Sequence, residues 1–490
     1  MDTRTSHLIH FTYFFSAIVN IRFFKLAPSL EDPCIPLTID QCHLFSKSPN
    51  LSPRCSSGNC DSSVTCDSSD ASSDSSSGEN PPTSVSLNPN PCALIDDFDV
   101  RVLSSGDTVE TYMENILAEQ PGLENNVYIY DLGVLHRTYQ QWLDEFPGIH
   151  PYYAIKCNPD LGILRMLCQL GANFDCASPA EIDSVLAIGA DPSRIIYANP
   201  CKRESDIRYA ADRGVRHTTF DTVQELHKIA RAAPEMRCVL RLFATDPNAR
   251  CQLSNKFGAP RNMWQQLISV AKTLDLCIDG ISFHVGSGAC TPAAFTNAIE
   301  QCRELYDMLV VNGYTPSIID LGGGFMPSTL GGIPDGIRKT LETYFPTSMA
   351  SSIKVIAEPG RFFAERCATL MTKIIGVRDY PSDPHTRDYW ITDGIYGSFN
   401  CMLYDHIDPK PHVFKQSLSQ PVCKTTLFGP TCDGMDTVLK DAWMPRLEYG
   451  DWIYFKDMGA YTIAGSCHFN GIPFPNVDRH YIYTLADPQK

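Results

Sequence analysis

The sequence predicts an α/β protein: a (β/α)8 barrel followed by a smaller C-terminal β domain of sandwich or barrel-like character. Three observations predict it. From Asn126 onward, short apolar runs alternate with longer amphipathic stretches, the rhythm of successive βα units. Eight runs follow this pattern, the number that closes into a parallel barrel. After Arg361 strand-like segments continue, but the helical stretches between them stop.

In chain order, residues 1–93 read as a tail. An apolar patch, "LIHFTYFFSAIVNI", is too short to span a bilayer and lacks the basic start and small-residue cleavage site of a signal peptide. It reads as a loosely held tail segment or a misassigned start. From Ser46 to Asn90 the composition falls to Ser, Asp, Pro, Gly and Asn, as in "CDSSDASSDSSSGENPPTS", with almost nothing to bury, so this stretch is expected to be disordered. Residues 94–125 form a leading segment expected to join the β domain. The barrel is expected over 126–364, with strands at "HPYYAIK", "NFDCA", "RIIYAN", "HTTF", "CVLRLF", "GISFHV", "SIIDLG" and "KVIAEP". Helical patterns such as "LGILRMLCQLGA", "PAEIDSVLAIGA" and "AAFTNAIEQCRELYDMLVV" lie between them. Over 365–490 the strand-like segments are "CATLMTKIIGVRD", "DYWITDGIYG", "VCKTTLFGP", "GDWIYFKDMGAYT" and "HYIYTLA".

Composition narrows the function. A formal net charge of −16 over 490 residues repels a phosphate backbone, and no basic stripe with interleaved aromatics offsets it, so nucleic acid is not an expected partner. Nor is a membrane. The 20 cysteines are scattered, without a C-x-x-C pair or a Cys/His cluster at zinc spacing. They read as reduced thiols of a cytoplasmic protein, and no metal site is expected.

Chemistry-bearing residues recur where barrel strands end, the face on which barrel enzymes place their active sites. Lys156 ends the first strand, Asp175 the second and Asn199 the third; Arg241 lies on the fifth, His284 ends the sixth and Glu358 the eighth. "DLGGGF" supplies Gly322, Gly323 and Gly324, whose backbone N–H groups can approach a phosphate closely. "HVGSG" adds Ser287 one strand earlier, and "EPGR" adds Gly360 and Arg361 one strand later. A lysine, a phosphate cup, a carboxylate and a histidine on one rim suit pyridoxal 5'-phosphate: the lysine anchors it, the acid pairs with its ring nitrogen and the imidazole lies against the ring.

The motifs "PYYAIKCNPD", "FDCASPAEI", "IIYANPCK", "FHVGSG", "DLGGGF", "AEPGRFF", "DGIYGSFNCMLYDH", "GPTCDGMD" and "MGAYT" together resemble the eukaryotic ornithine decarboxylases, pyridoxal-phosphate enzymes of the alanine-racemase-like fold class. The resemblance runs from about Leu94 to the C-terminus. It implies that Lys156 holds the cofactor, Glu358 pairs with its ring nitrogen, Asp175 and Arg241 support the site and His284 stacks on the ring. Ser287, Gly324, Arg361 and Tyr461 would hold the phosphate. It further implies a head-to-tail homodimer with shared active sites, in which Cys432 acts on the cofactor of the other subunit. In that arrangement Asp405 and Asp433 grip the distal ammonium of L-ornithine, Tyr404 and Phe469 line the pocket, and Lys256 and Asp436 pair across the interface. The product would be putrescine, the opening step of polyamine synthesis.

Plainer readings stand beside these. Cys432 fits a core thiol, Asp433-Gly434 a turn, and Tyr404 and Phe469 ordinary aromatic packing. One departure from the family pattern is local: Arg241 is followed by Leu-Phe-Ala-Thr-Asp-Pro, which shifts the Thr-Asp pair by one position. A lysine or other diamino-acid decarboxylase, or a non-catalytic relative of the antizyme-inhibitor type, is the alternative function. An antizyme-type regulatory protein would dock near "ESDIRYAADRGVRHTTFDTVQEL".

Overall fold

The computed structural model describes residues 99–485, apart from 105, 252–255, 290, 329, 347–351 and 415–416. The apolar patch and the Ser/Asp-rich tail lie outside the described residues. The first two strands are β1 (Val100–Leu103) and β2 (Val127–Asp131). Eight parallel strands then close a barrel: β3 (Ile149–Ala154), β4 (Asn173–Cys176), β5 (Ile195–Tyr197), β6 (His217–Phe220), β7 (Arg237–Arg241), β8 (Ile278–Ser282), β9 (Ile318–Asp320) and β10 (Lys354–Ala357), with β10 pairing back onto β3. All eight coincide with runs expected from the sequence. Their side chains are buried on both faces, inward against a cluster of Tyr152, Ile196, Val239, Ile318 and Ile356 and outward against the helices, so the sequence shows continuous apolar runs.

Local chemistry starts and stops the helices between them. Asp160 accepts from the N–H of Gly162 at 2.9 Å to open the helix Leu161–Leu170, and Gly171 in the left-handed region closes it. Ser178 caps Pro179–Ala187, whose first residue is proline, and Thr222 caps Val223–Ala232. Trp142, fully buried, packs against Phe146, Phe325, Phe362 and Phe363. Its Nε1 donates to the carbonyl of Ile149 at 3.0 Å, tying the helix Leu132–Glu145 to the start of the barrel.

Seven more strands follow: β11 (Ala368–Asp379), β12 (Thr386–Ile391), β13 (Pro411–Val413), β14 (Val422–Phe428), β15 (Thr437–Pro445), β16 (Trp452–Phe455) and β17 (Asp478–Thr484). With β1 and β2 they make a nine-stranded sheet whose main path runs β1-β17-β2-β11-β12-β14-β15, while β16 joins β11 to β13. Two features differ from expectation. The stretch from Asn126, expected to open the barrel, supplies β2 to this sheet instead, between β17 and β11. A five-residue run buried throughout reads alike in a barrel and in a sheet interior, and only its pairing separates the two. The second is β13 and β15, strands the sequence does not announce: β15 lies at the end of the path, exposes Lys440, Asp441 and Trp443, and pairs with β14 through register shifts that blur its alternation.

Among the described residues every cysteine is a free thiol, and no helix is long and apolar enough to cross a membrane.

Candidate active site

The C-terminal ends of the barrel strands gather one group of the expected residues. Lys156 stands not at the end of β3 but in the single 3-10 turn Ile155–Cys157 that follows it. Its Nζ donates to Oδ2 of Asp175, the third residue of β4. The lysine side chain is 41% exposed, so the amine is reachable from outside the barrel, whereas Asp175 is buried. Desolvation alone would lower the lysine pKa, but the Asp175 carboxylate, by its charge and its hydrogen bond, outweighs it and holds the amine above its ordinary value, as an ammonium.

Next to this pair the segment after β9 folds over the barrel mouth. Asp320 accepts the N–H of Gly322 at 2.9 Å, and the carbonyl of Gly322 accepts from the N–H of Glu358 at 2.7 Å. Gly322 has φ +61°, and a Cβ there would stand 2.1 Å from the Phe283 carbonyl oxygen. At Gly323 a Cβ would lie 2.8 Å from Nε2 of His284 and 2.9 Å from the Glu358 carbonyl oxygen. Only glycine lets these three strand ends approach so closely. His284 accepts the Gly286 N–H through Nδ1 at 3.0 Å; burial, then the Arg241 and Lys156 cations, keep its pKa well below the usual value, so its ring is neutral. Arg241 itself lies over Phe257, 5.4 Å from the ring centre.

Three carboxyl groups crowd this mouth. Burial first, then the charges of Asp175 and Asp320, push Glu358 well above the carboxylate range. Asp320, fully buried, is pushed up to about 7, chiefly by burial. Sequence reasoning quoted "DLGGGF" for its glycines and passed over this aspartate. The signal was an acid at the end of an apolar run, where a charge is costly without a task.

Gly360 brings the segment after β10 against the Lys156 turn, since a Cβ there would meet Cys157 Cβ at 2.8 Å. Arg361, buried, ion-pairs with Asp405 and with Glu365 at 3.0 Å, and its guanidinium lies 5.2 Å from the centre of the Tyr461 ring. Tyr461 has φ +55°, a conformation costing a side-chain residue about 1–3 kcal/mol, and its N–H donates to the Cys157 carbonyl at 2.9 Å. The segment after β16 thereby reaches the residue next to Lys156. Ser287 pairs with Cys251 in an isolated bridge that ties the loop after β7 to the loop after β8.

The resemblance implied that Arg361 serves the phosphate and Asp405 the substrate. Here they bind each other. Of the remaining expected residues, Cys432, Asp433 and Phe469 form a second group. Asp433 accepts from the Tyr396 hydroxyl; Tyr396 stacks on Phe469 with ring centres 4.1 Å apart; and the N–H of exposed Cys432 donates to Oδ1 of Asn470 at 3.0 Å. The Met435 N–H and then the Tyr396 hydroxyl hold the Asp433 carboxyl below its ordinary value. Phe469 is partly exposed and Tyr404 largely so. Among the described residues no hydrogen bond or ion pair joins Cys432, Asp433 or Phe469 to the Lys156 group. Tyr396 and Asn470 were not singled out in the sequence, because only the folded chain lays them beside "CDG".

Lys256 and Asp436 are not brought together within the chain. Asp436 is buried and accepts from the N–H of Ile395 at 2.8 Å and from the N–H and hydroxyl of Thr431, while Lys256 lies over Phe257, 5.0 Å from the ring centre.

The first group fits the pyridoxal phosphate that the motifs imply. Oδ1 of Asp175 and Nε of Arg361 are buried without a hydrogen-bond partner, and the glycine turn leaves room that any side chain would fill. Residues 132–365 match the family model for the pyridoxal binding domain of pyridoxal-dependent decarboxylases. The chain is 40% identical to ornithine decarboxylase of Schizosaccharomyces pombe over 374 residues, 74% of this chain and 85% of the yeast protein. It is also 40% identical to antizyme inhibitor 2 of Xenopus laevis over 410 residues, 80% of this chain and 89% of the frog protein. Among solved structures, the arginine decarboxylase of Paramecium bursaria Chlorella virus bound to agmatine superposes with a TM-score of 0.72 at 36% identity, covering 76% of this chain and 100% of the viral one.

Proposed function

This chain belongs to the family of pyridoxal-dependent decarboxylases, and we propose that within it the protein converts L-ornithine to putrescine and CO2 as a cytoplasmic homodimer with shared active sites. The observation that carries the reading is the Lys156–Asp175 pair beside the glycine turn, ringed by Glu358, His284 and Arg361.

Pyridoxal phosphate, when bound, supplies a ring that accepts the electron pair left as the α-carboxylate departs. Lys156 Nζ would tether it. Glu358, disposed to keep a proton by its burial, would pair with the ring nitrogen, and Asp175 with its unpartnered Oδ1 steadies the lysine. His284, neutral, offers a flat face that adds no charge. Gly322, Gly323, Gly324, Ser287, Gly360, Arg361 and Tyr461 would hold the phosphate, and the Arg241 cation acts on His284 and Glu358. Cys432 Sγ delivers the proton to Cα. Asp405 and Asp433 bind the distal ammonium, which favours a diamino acid over a neutral one. The exposure of Cys432 and its lack of any bond to the Lys156 group support its service to a second subunit, with Lys256 and Asp436 at the same interface.

The test is turnover of L-ornithine, L-lysine and L-arginine, offered separately with pyridoxal phosphate, and identification of the amine. Putrescine is expected to dominate. Cadaverine or agmatine as the main product would replace the substrate. The likeness to antizyme inhibitor 2 sustains a second, binding-only reading, in which an antizyme-type protein docks on the helix–strand–helix of residues 204–226. Lys156, Asp175, Glu358 and Arg361 all in place weigh against it, and release of no amine would favour it.

A further inference from the structure

Asp405 does not wait in its pocket as an unclaimed anion. Its Oδ2 faces two guanidinium groups, Nη2 of Arg361 in direct contact and Nη1 of Arg250 at 3.8 Å, while its Oδ1 faces Cys251 Sγ at 3.7 Å. Arg361 also has Glu365, at 3.0 Å. Arg250 pairs with no other carboxylate among the described residues, and its Nη1 is buried without a hydrogen bond. Its backbone is fixed: Cys251 exchanges hydrogen bonds with Ser287 at 3.0 and 2.9 Å, and the Arg250 N–H points at the Gly288 carbonyl at 3.4 Å. The loop that would carry part of the phosphate site thus also sets where the Arg250 side chain starts.

We propose that Arg250 is a positioning residue that sets substrate specificity: acting through Asp405, it weakens the site's grip on a distal ammonium. This rests on the use of Asp405 proposed above. An ammonium approaching Oδ2 must displace or share it with two cations, and Arg250 is the one with no second carboxylate to fall back on. Arg250 accordingly lowers discrimination between diamines and monoamines and raises KM for ornithine, while leaving the chemistry at Cα untouched.

The experiment compares the wild-type holoenzyme with R250Q, which removes the charge and leaves a shorter polar side chain, and R250K, which keeps the charge. Each is titrated calorimetrically with 1,4-diaminobutane and with n-butylamine, and assayed with L-ornithine. R250Q should bind the diamine about three- to tenfold tighter, a Coulomb effect discounted for partial exposure, with n-butylamine unchanged and the gain appearing in KM rather than kcat. R250K should stay close to wild type. Equal shifts for both amines would mark a packing role, weaker retention of pyridoxal phosphate would mark a phosphate ligand, and no shift, or no diamine binding, would remove the idea; each overturns it. If the wild type fails to decarboxylate ornithine, the proposed function falls, yet the diamine-to-monoamine ratio still reads the coupling of Arg250 to Asp405.

Discussion

Lys156 and Cys432 differ in what surrounds them, and their variants should differ accordingly. The lysine is bonded into the barrel mouth, so Lys156→Ala should fold, lose pyridoxal phosphate on gel filtration and lose activity by roughly a thousandfold or more. The cysteine sits exposed on a turn, with a backbone bond to Asn470 and, among the described residues, no bond to the lysine group. Cys432→Ala should retain the cofactor and bind ornithine normally while kcat falls by roughly 10²–10⁴-fold. Absorbance of the bound cofactor and steady-state kinetics separate the two. A Cys432→Ala enzyme with unchanged kcat would assign the proton to another group.

Opposite the site, the starts of four barrel strands are clasped by one acid. Asp279 on β8 bonds to His217 Nε2 at 2.8 Å, to Arg237 through two bonds of 2.6 Å, and to Ser317 Oγ at 2.9 Å. Burial alone would raise its pKa, but these hydrogen bonds and the Arg237 charge hold it well below the carboxylate range. Because the folded value is lowered, the stabilisation is complete at neutral pH and fades as pH falls below the unfolded value of about 4. Asp279→Asn should cost about 3 kcal/mol in urea unfolding at pH 7, with the gap to wild type narrowing below about pH 4 and activity of the folded enzyme retained. A gap that does not depend on pH would assign the clasp to packing. The barrel strands could be read from sequence because each is a short apolar run bounded by turn residues. The clasp could not: His217, Arg237, Asp279 and Ser317 belong to different runs and meet only when the barrel closes. The same limit hid Arg250 and Tyr396. By contrast, Lys156, Glu358 and the glycines announced themselves locally, as polar or backbone-exposing residues ending apolar runs, although the lysine proved to sit a turn beyond its strand.

The proposed division of the site between two subunits can be tested directly. If Lys156 and Cys432 act from opposite protomers, mixing inactive Lys156→Ala and Cys432→Ala enzymes should restore about one quarter of wild-type activity, since half the dimers are mixed and each carries one intact site. Recovery of none would place both residues in one subunit's site. Within the single chain, the two architectures are interleaved. β17 lies between β1 and β2, and Thr484 bonds through its N–H and hydroxyl to Asp131, the residue that caps the helix leading into the barrel. A ribosome releases this chain from the other end. The barrel strands are made before β17, so β1, which pairs with β17, must wait for it, whereas β2 meets its other neighbour, β11, sooner. Completion of the sheet therefore waits on β17, and a chain cut before Asp478 would leave β1 and β2 on either side of an empty slot.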